Sequence, residues 1–300
     1  MSDVDVSICV ATYRRRHGLA RLLDSLARMK LPEGVRAEVI VVDNDPGSDP
    51  HHAPSPDAVA PLALRCLREP RKNIAYARNL AIANARGEWL AFVDDDEVVD
   101  EGWLAAYWAL AETGECDGWF GPVFARIEAW STPWLDASFF EGVRFASGTR
   151  ITNLGAHTCN AFVRRACFRD ARFDPAFGLS GGEDTALFRK LTARGARFEW
   201  CSEAIVHDCV PVERHRPGWL VRRAFRGGCT HAQIEHELGR VPSRSAAVTQ
   251  SAAAAGVLLA AAALMLLGGR ARALRVMRYA AVQAGKAWGY LGLSFWEYSD

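Results

Sequence analysis

Four consecutive acids, Asp94, Asp95, Asp96 and Glu97, directly follow an unbroken apolar run at residues 89–93. An apolar run without alternation is typical of a strand that is covered on both faces. Like charges this close repel by roughly 1 kcal/mol or more per pair unless a positive group lies between them. Mg²⁺ or Mn²⁺ suits such hard oxygen donors and commonly holds the diphosphate of a nucleotide. A solvated acidic turn is the alternative.

A second pair of acids, Glu183 and Asp184, comes much later in the chain, directly after Gly181 and Gly182. Glycines let the backbone take unusual angles, and residues 185–194 then place apolar side chains at helical spacing. We therefore expect the two acids at the N-terminus of a helix, where the helix dipole favours negative charge. Ordinary helix capping is the alternative to a chemical role.

The elements that must position these acids alternate between strand and helix. In the first half, Asn73 is the expected N-cap of a helix at residues 73–86, and Gly87 is its expected stop. Strands are predicted at residues 4–11, 37–42, 62–67 and 89–93, and in the second half at 118–127, 157–163 and 204–206. This alternation predicts an α/β fold with a doubly wound, mostly parallel sheet.

In such a sheet, ligands bind beyond the carboxyl ends of the strands. Thr12 and Asp43 follow the first two strands, so they should line one crevice with the acids at 94–96. A simple turn or N-cap role for Thr12 is equally open. The first turn reads ATYRR, without the GxGxxG of dinucleotide-binding folds, and the phosphate loop GxxxxGK[ST] is absent. If a nucleotide binds here, a metal must hold its phosphates.

Composition narrows the functional classes. Eight cysteines never form a CxxC pair, which argues against a zinc site and thioredoxin-like chemistry. No N-terminal signal sequence precedes the first strand, so a reducing cytoplasmic compartment is expected. Residues 211–300 hold twelve Lys and Arg against five Asp and Glu, which favours an anionic partner such as a membrane surface or a phosphate group. No basic stripe with interleaved aromatics indicates nucleic acid.

Four motifs in this order, VSICVATYRR, VIVVDND, AYARNLAIANARGEWLAFVDDDEV and GLSGGEDTALFRKL, resemble family 2 glycosyltransferases of the Rossmann-like A-type fold, including bacterial enzymes of exopolysaccharide and succinoglycan-type synthesis. The resemblance covers about residues 4–228. It implies a catalytic domain at 1–230, with a nucleotide-binding half at 1–115 and an acceptor half at 116–230. Residues 231–300 then form a helical, membrane-associating appendage.

The resemblance also implies roles for single residues. Asp43 and Thr12 would contact the nucleoside of the donor, and Asp96 would bind Mn²⁺ or Mg²⁺. Asp184 would be the base that takes the proton from the acceptor hydroxyl, as inverting transfer requires. The remaining implied roles are donor contacts for Asp94, Asp95 and Arg78, acceptor orientation for Glu183, and a further metal contact for His207. A surface ion pair for Arg78 and a polar strand cap for His207 are the alternatives.

Two further residues are candidates, Trp134 for the acceptor and Arg222 for the donor. Trp134 lies in the aromatic stretch WSTPWLDASFFEGVRF, which has no clear period and is typical of an acceptor-binding loop, although plain packing would also explain it. Arg222 belongs to an arginine-rich segment around Trp219. Because the arginine fork matches phosphate oxygens, Arg222 could clamp the diphosphate of the donor or of a lipid acceptor.

Residues 245–269 carry no charge and are long enough to cross a bilayer as a helix, but arginines flank both ends. This pattern favours a helix seated in the membrane, or a hairpin whose second arm is at 274–293. A helical cap or a dimerisation hairpin is the alternative, so a homo-oligomer stays open. The expected location is the cytoplasm, peripheral or monotopic at the inner membrane face.

The sequence thus predicts an inverting, metal-dependent transfer of a sugar from a nucleoside diphosphate, UDP before GDP. The acceptor would be an oligosaccharide or a polyprenyl-diphosphate-linked sugar in polysaccharide synthesis. A sugar-phosphate nucleotidyltransferase is one alternative, but it would carry a glycine-rich N-terminal loop. A catalytically inactive carbohydrate-binding scaffold is another, but it would be expected to lose the acids at Asp96 or Asp184, which are present.

Overall fold

The computed structural model describes residues 4–49, 53–127, 132, 134–152, 155–240 and 269–293, and single residues between 241 and 268. Its internal contacts divide the chain into two compact units. The first comprises Met1–Arg126, Phe140–Gly178 and Glu183–Cys209, and the second comprises Ile127–Phe139, Leu179–Gly182 and Val210–Asp300. The boundary predicted at 230 falls inside a helix of the second unit.

The first unit begins with the predicted alternation of strands and helices. Its elements are β1 Val6–Thr12, α1 Arg16–Arg28, β2 Ala37–Asp43, β3 Ala63–Arg68, α2 Ile74–Asn84 and β4 Trp89–Val93. The strands are parallel in the order β3-β2-β1-β4, which confirms the doubly wound arrangement. All five residues of β4 are buried, as its unbroken apolar run predicted.

The rest of the first unit extends this sheet and adds a smaller one. The elements are β5 Glu97–Val99, α3 Trp103–Ala111, β6 Gly118–Phe120, β7 Val123–Arg126, β8 Arg150–Ile151, β9 Asn160–Arg164, α4 Glu183–Ala193, β10 Phe198–Trp200 and β11 Val206–Cys209. Among the described residues, the large sheet has the order β3-β2-β1-β4-β9-β6-β10-β8, and β5-β11-β7 form the small one. β9 is antiparallel to both its neighbours, β4 and β6.

Two apolar layers cover the large sheet. β1 shows why, because Val6, Ile8 and Val10 face one layer while Cys9 faces the other. The first layer includes α1 and α3, and the second includes α2 and α4. Strand alternation therefore supplies apolar side chains to both faces, which a sheet buried between helices requires.

The single strand predicted at residues 118–127 is wrong, because the chain breaks at Gly121 and passes from the large sheet to the small one. A Cβ on Gly121 would lie 2.4 Å from the carbonyl oxygen of Ala204. Asn160 holds the crossing, donating from Nδ2 to the carbonyls of Pro122 (2.9 Å) and Ala204 (2.7 Å). Because these contacts link segments that are distant in sequence, no local sequence pattern predicts the end of the strand at Gly121.

The helix before the acids follows the prediction at one end only. Asn73 caps α2 by accepting a hydrogen bond from the Ala75 amide at 3.0 Å, as predicted. The helix ends at Asn84, however, and Gly87 lies beyond it. A Cβ on Gly87 would come within 2.6 Å of the Ser7 amide nitrogen. Gly87 therefore permits the close approach of β1 and is not the stop of the helix.

The second unit contains two long helices, α5 Pro217–Glu237 and α6 Arg270–Tyr290. Gly285 brings them close, since a Cβ there would lie 2.0 Å from the carbonyl oxygen of Phe225. The uncharged segment predicted to enter the membrane, 245–269, lies largely outside the described residues. Within the described part of the chain, no helix combines the length and apolar character needed to cross a bilayer.

Candidate active site

Two of the four acids after β4 share one arginine. Arg15, at the start of α1, donates from Nη1 to Asp95 Oδ1 at 3.0 Å and to Asp96 Oδ2 at 2.9 Å. Thr12, the last residue of β1, donates from its hydroxyl to Asp95 Oδ2 at 2.7 Å. Thr12 therefore supports the acidic turn and does not cap α1. Sequence reasoning missed Arg15, although the run of three arginines at the carboxyl end of the first strand was a signal.

A second arginine, Arg78, bridges two of the predicted acids. Its side chain is 7% exposed, donates to Asp94 Oδ1 at 2.9 Å and forms an ion pair with Glu183. The alternative of a surface ion pair is therefore excluded. The guanidinium ties the end of β4 to the first turn of α4, so residues that are far apart in sequence meet at one point.

Burial raises the pKa of two acids in this turn. It raises the pKa of Asp95 to about 6, although Arg15 and Thr12 pull in the opposite direction. Burial, followed by the charge of Asp94, raises the pKa of Glu97 well above its usual range. Glu97 accepts a hydrogen bond from the Asp94 amide at 2.7 Å and so closes the turn. Arg15 and Arg78 thus bring positive charge to an acidic turn for which the sequence suggested a cation.

The second pair of acids lies in the first turn of α4, as predicted. Glu183 is buried against Arg78, and burial raises its pKa to about 7 despite that cation. Asp184 is partly exposed and accepts from the amide of Thr185 at 2.6 Å and, more weakly, from that of Thr158 at 3.4 Å. The two adjacent acids therefore differ in their surroundings. Glu183 forms a buried ion pair, and Asp184 is more exposed to solvent.

Cys159 shows how closely the two acid groups approach. Its pKa is raised well above the usual range by burial and then by the negative charges of Glu97, Asp94, Asp184 and Asp208. Its Sγ lies 2.9 Å from Nδ1 of His157, whose pKa burial lowers against the opposing charges of Asp184 and Asp94. Carboxylates that follow β4 and belong to β5, α4 and β11 therefore all act electrostatically on one thiol. We call the region around these four carboxylates the crevice, and the crevice predicted from Thr12, Asp43 and the acids at 94–96 stays a prediction.

The small sheet determines which β11 residue faces this crevice. Asp208 pairs in register with Glu97 and acts electrostatically on both Glu97 and Cys159. The preceding residue, His207, directs Nε2 to Oδ1 of Asp100 at 3.0 Å. It lines a separate cleft of about 420 Å³ with Ser25, Arg28, Val98, Val99, Ala125 and Arg126. Asp208 was missed by sequence reasoning, and His207 stays a prediction as a metal ligand.

The predicted nucleoside contacts lie at neighbouring strand ends. Thr12 and Asp43 are paired in register across β1 and β2. Asp43 accepts from the amide of Asp45 at 2.9 Å. The adjacent Asn44 is buried and accepts from the Asn73 amide at 2.8 Å, which joins the end of β2 to the start of α2. The end of β2 is therefore a rigid, polar rim, and Asn44 is a structural residue that sequence reasoning missed.

The two remaining candidates, Trp134 and Arg222, belong to the second unit. Trp134 borders a cleft of about 540 Å³ whose other lining residues are Gly269, Arg270, Ala271 and Arg272. Arg222 is an exposed residue of α5. The roles of Trp134 towards the acceptor and of Arg222 towards the donor diphosphate stay predictions.

The donor atoms of the crevice suit a magnesium or manganese ion in type, because carboxylate oxygens are the ligands that these ions prefer. Across the described residues, no group of three or more His, Cys, Asp or Glu side chains is arranged to hold a metal. Mg²⁺ is commonly bound by one or two carboxylates together with substrate phosphates and water. The residues therefore fit an ion that arrives with a diphosphate better than a cage made of protein alone.

Comparison with known proteins gives consistent matches. Residues 7–171 match the family model described as Glycosyl transferase family 2. The succinoglycan biosynthesis protein ExoM of Rhizobium meliloti (strain 1021) is 36% identical over 241 residues, which are 77% of this chain and 74% of that protein. A pre-mycofactocin glycosyltransferase of Mycobacterium tuberculosis is 30% identical over 243 residues, covering 76% of this chain but 47% of that protein.

Solved structures show the same fold. TarS 1-349 of S. aureus in complex with UDP-GlcNAc has a TM-score of 0.57 at 18% sequence identity, with 97% of this chain and 93% of that chain covered. The same fragment in complex with UDP has a TM-score of 0.53. At this identity the similarity concerns the fold, which agrees with the architecture described above.

Proposed function

Because the chain belongs to glycosyl transferase family 2 and is a glycosyltransferase, we propose that it transfers a sugar from UDP to an acceptor hydroxyl, with inversion and with the help of a divalent metal. The acceptor is an oligosaccharide or a lipid-diphosphate-linked sugar in polysaccharide synthesis. The relative named for succinoglycan biosynthesis supports this context, and the UDP and UDP-GlcNAc complexes of a similarly folded protein support the donor.

One observation carries the proposal: Arg78 joins Asp94 to Glu183 in a buried cluster, with Asp184 beside it. Inverting transfer needs a carboxylate at the acceptor hydroxyl and donor-binding groups at the departing diphosphate, both within reach of one anomeric carbon. Asp94 belongs to the donor side and Asp184 to the acceptor side. The hydrogen bond between Arg78 and Asp94, and the electrostatic effect of Asp184 on Arg78, support a single reaction centre.

Asp184 is the proposed base. It is partly exposed, and the hydrogen bond from the Thr185 amide orients its carboxylate at the start of α4. It would take the proton of the acceptor hydroxyl as that oxygen attacks the anomeric carbon. Glu183 is buried in its ion pair with Arg78, so it would hold the first turn of α4 and orient the acceptor side without exchanging the proton itself.

The donor side consists of the strand ends. Thr12 and Asp43 would contact the nucleoside, while Asp94 and Asp95 would border the ribose and the diphosphate. Asp96 would hold Mn²⁺ or Mg²⁺, with His207 or Asp208 of β11 as the second protein ligand. When bound, the ion would neutralise the charge that grows on the leaving diphosphate. Arg222 is a further candidate for a phosphate contact and Trp134 for an acceptor contact.

A donor panel tests this function. Purified protein is incubated with UDP-sugars and GDP-sugars, a cell-derived lipid-linked acceptor fraction, and Mn²⁺, Mg²⁺ or EDTA, and the released nucleotide is identified. Release of UDP that depends on both acceptor and metal is the expected result. Release of pyrophosphate would instead indicate a nucleotidyltransferase, and release of GDP would reject the donor assignment.

The base assignment has a matched control within the chain. Asp184→Asn should lower kcat by about 10²- to 10⁴-fold, the usual contribution of a positioned general base. Donor binding, measured by calorimetry with UDP, should persist. Asp170→Asn makes the same chemical change at an exposed position that follows β9 and should leave kcat unchanged. Full activity of the Asp184 variant would reject Asp184 as the base.

A further inference from the structure

A cluster of arginines surrounds one aromatic ring in the second unit. The guanidinium carbons of Arg275 and Arg278 lie 4.9 Å and 5.9 Å from the ring centroid of Phe139. Arg278 also donates to the backbone carbonyl of Phe139 at 3.1 Å. Aromatic contacts of this kind hold guanidinium groups in place. Phe139 therefore fixes two cations of α6 next to each other.

These cations repel one another. The pKa of Arg278 is lowered by burial and then by the positive charges of Arg223, from α5, and Arg275. Asp136 accepts from Arg275 at 3.4 Å, but both side chains are more than half exposed, so solvent screens this pair. An anion bound at this cluster would relieve the repulsion.

The two helices run in the same direction. A Cβ on Gly285 would lie 2.0 Å from the carbonyl oxygen of Phe225, and a Cβ on Gly289 would lie 2.5 Å from the Cβ of Ala232, so both helices advance together. The helices therefore run parallel, and their positive N-terminal ends lie on the same side. The sequence of α6 contains four arginines and one lysine and no acid, and the arginines occupy its first half.

Exposed apolar side chains continue along the same helix. Tyr279 is 56% exposed and Trp288 43%, and just beyond the helix Leu291 is 61% and Leu293 44% exposed. With 21 residues, α6 is about 31 Å long. Aromatic and leucine side chains next to basic ones are typical of helices that lie in the plane of a membrane interface.

We propose that the arginine-bearing side of α6, together with Arg223 of α5, docks on a surface of anionic phospholipid whose headgroup phosphates contact Arg272, Arg275 and Arg278. The inference deepens the proposed function, because it rests on an acceptor at the membrane face. An extended surface is the better fit than a soluble phosphate, because the arginines and the exposed Tyr279 follow one side of α6 over about two turns. A single phosphate would occupy only the arginines at Phe139.

Vesicle binding tests the proposal without donor or acceptor, so failure of glycosyl transfer would leave this result unaffected. The full chain is sedimented with vesicles of phosphatidylglycerol and phosphatidylcholine, or of phosphatidylcholine alone, at low and high salt. We expect binding to the anionic vesicles only and a loss of binding at high salt. The double variant Arg272→Gln/Arg275→Gln should bind about 25-fold more weakly, since each basic residue near an anionic surface contributes roughly fivefold.

The matched control removes two exposed arginines of the first unit, Arg169→Gln/Arg197→Gln, and should bind like the wild type. Thermal unfolding of both double variants establishes that they are folded. Equal binding by the two double variants, or wild-type binding to phosphatidylcholine alone, would overturn the proposal. So would release from anionic vesicles by pyrophosphate at constant ionic strength, because that result would indicate a pocket for a soluble phosphate.

Discussion

Arg78 and Glu183 form a buried ion pair that connects the middle of α2 to the first turn of α4. The same guanidinium also holds Asp94 at 2.9 Å. Removing this cation would leave the buried Glu183 without its partner, whereas Asp94, whose side chain is 37% exposed, would keep part of its solvation. Arg78 is therefore a residue on which both stability and the geometry of the proposed reaction centre depend.

Replacement of Arg78 should be costly, and the cost should depend on the substitute. Arg78→Met leaves Asp94 and Glu183 uncompensated and should lower the free energy of unfolding by about 3–5 kcal/mol. Arg78→Lys keeps the charge but has no fork to reach both carboxylates, so an intermediate loss is expected. Urea unfolding measures the free energy of unfolding of both Arg78 variants. The exposed Arg169→Met is the control, and we expect its free energy of unfolding to change by no more than about 0.5 kcal/mol. If Arg78→Met matched that control, the ion pair would have no stabilising role.

Elements that depend on local patterns could be predicted from the sequence. β4 is an apolar run, and the Asn73 cap is set by residues two apart, so both were predicted correctly. The position of the acids at the carboxyl ends of strands followed from the alternation of strands and helices. The ion pairs of Arg15 and Arg78 were not predictable, because they join segments whose separation in space depends on the assembled sheet.

β11 shows a different limit of prediction from the sequence. His207 and Asp208 are adjacent polar residues, and successive residues of a strand point to opposite faces. Which of them faces the crevice depends on the register with β5, where Asp208 pairs with Glu97. Nothing in the sequence near residue 207 predicts this register between β11 and β5. A histidine was the more conspicuous metal ligand, whereas the structure directs the neighbouring carboxylate to the other acids.

This difference can be tested at two adjacent positions. Asp208→Asn should reduce kcat by about tenfold or more and raise the Mn²⁺ concentration needed for half-maximal rate, because Asp208 lies among the crevice acids. His207→Gln should change both quantities less than twofold, since His207 contacts Asp100 instead. Metal titration of UDP release measures both variants. The opposite ranking would establish His207 as the ligand on β11.

The pH dependence of the free energy of unfolding should reveal the contribution of the Glu38 carboxylate. Glu38 belongs to β2 and is fully buried between β1 and β3. Burial raises its pKa, but hydrogen bonds from Arg86, Ser7 and Arg65 outweigh burial, so the net pKa is lowered. A lowered pKa contributes stability above the unfolded value near 4.5, and this contribution is lost as the pH falls through the folded value. At pH 7, Glu38→Gln should cost about 2 kcal/mol.

The measurement is the difference in unfolding free energy between wild type and Glu38→Gln from pH 7 down to pH 3. This difference should shrink below pH 4.5 as the wild-type carboxylate takes up a proton. The exposed Glu115→Gln serves as the control, and its difference from wild type should stay close to zero throughout. A Glu38 difference that stayed constant over the whole range would mean that the charge of Glu38 does not stabilise the fold.

Replacing either of two glycines of the second unit by alanine should change the stability of the protein in opposite directions. A Cβ on Gly285 of α6 would lie 2.0 Å from the carbonyl oxygen of Phe225, so Gly285→Ala must push α5 and α6 apart. Overpacking of this kind costs about 1–3 kcal/mol. Gly227 of α5 has open space around it, and alanine there should stabilise the helix by up to about 1 kcal/mol. Thermal unfolding should therefore show a lower Tm for the first variant and an equal or higher Tm for the second. If both raised the Tm, close packing of the two helices would not exist in solution.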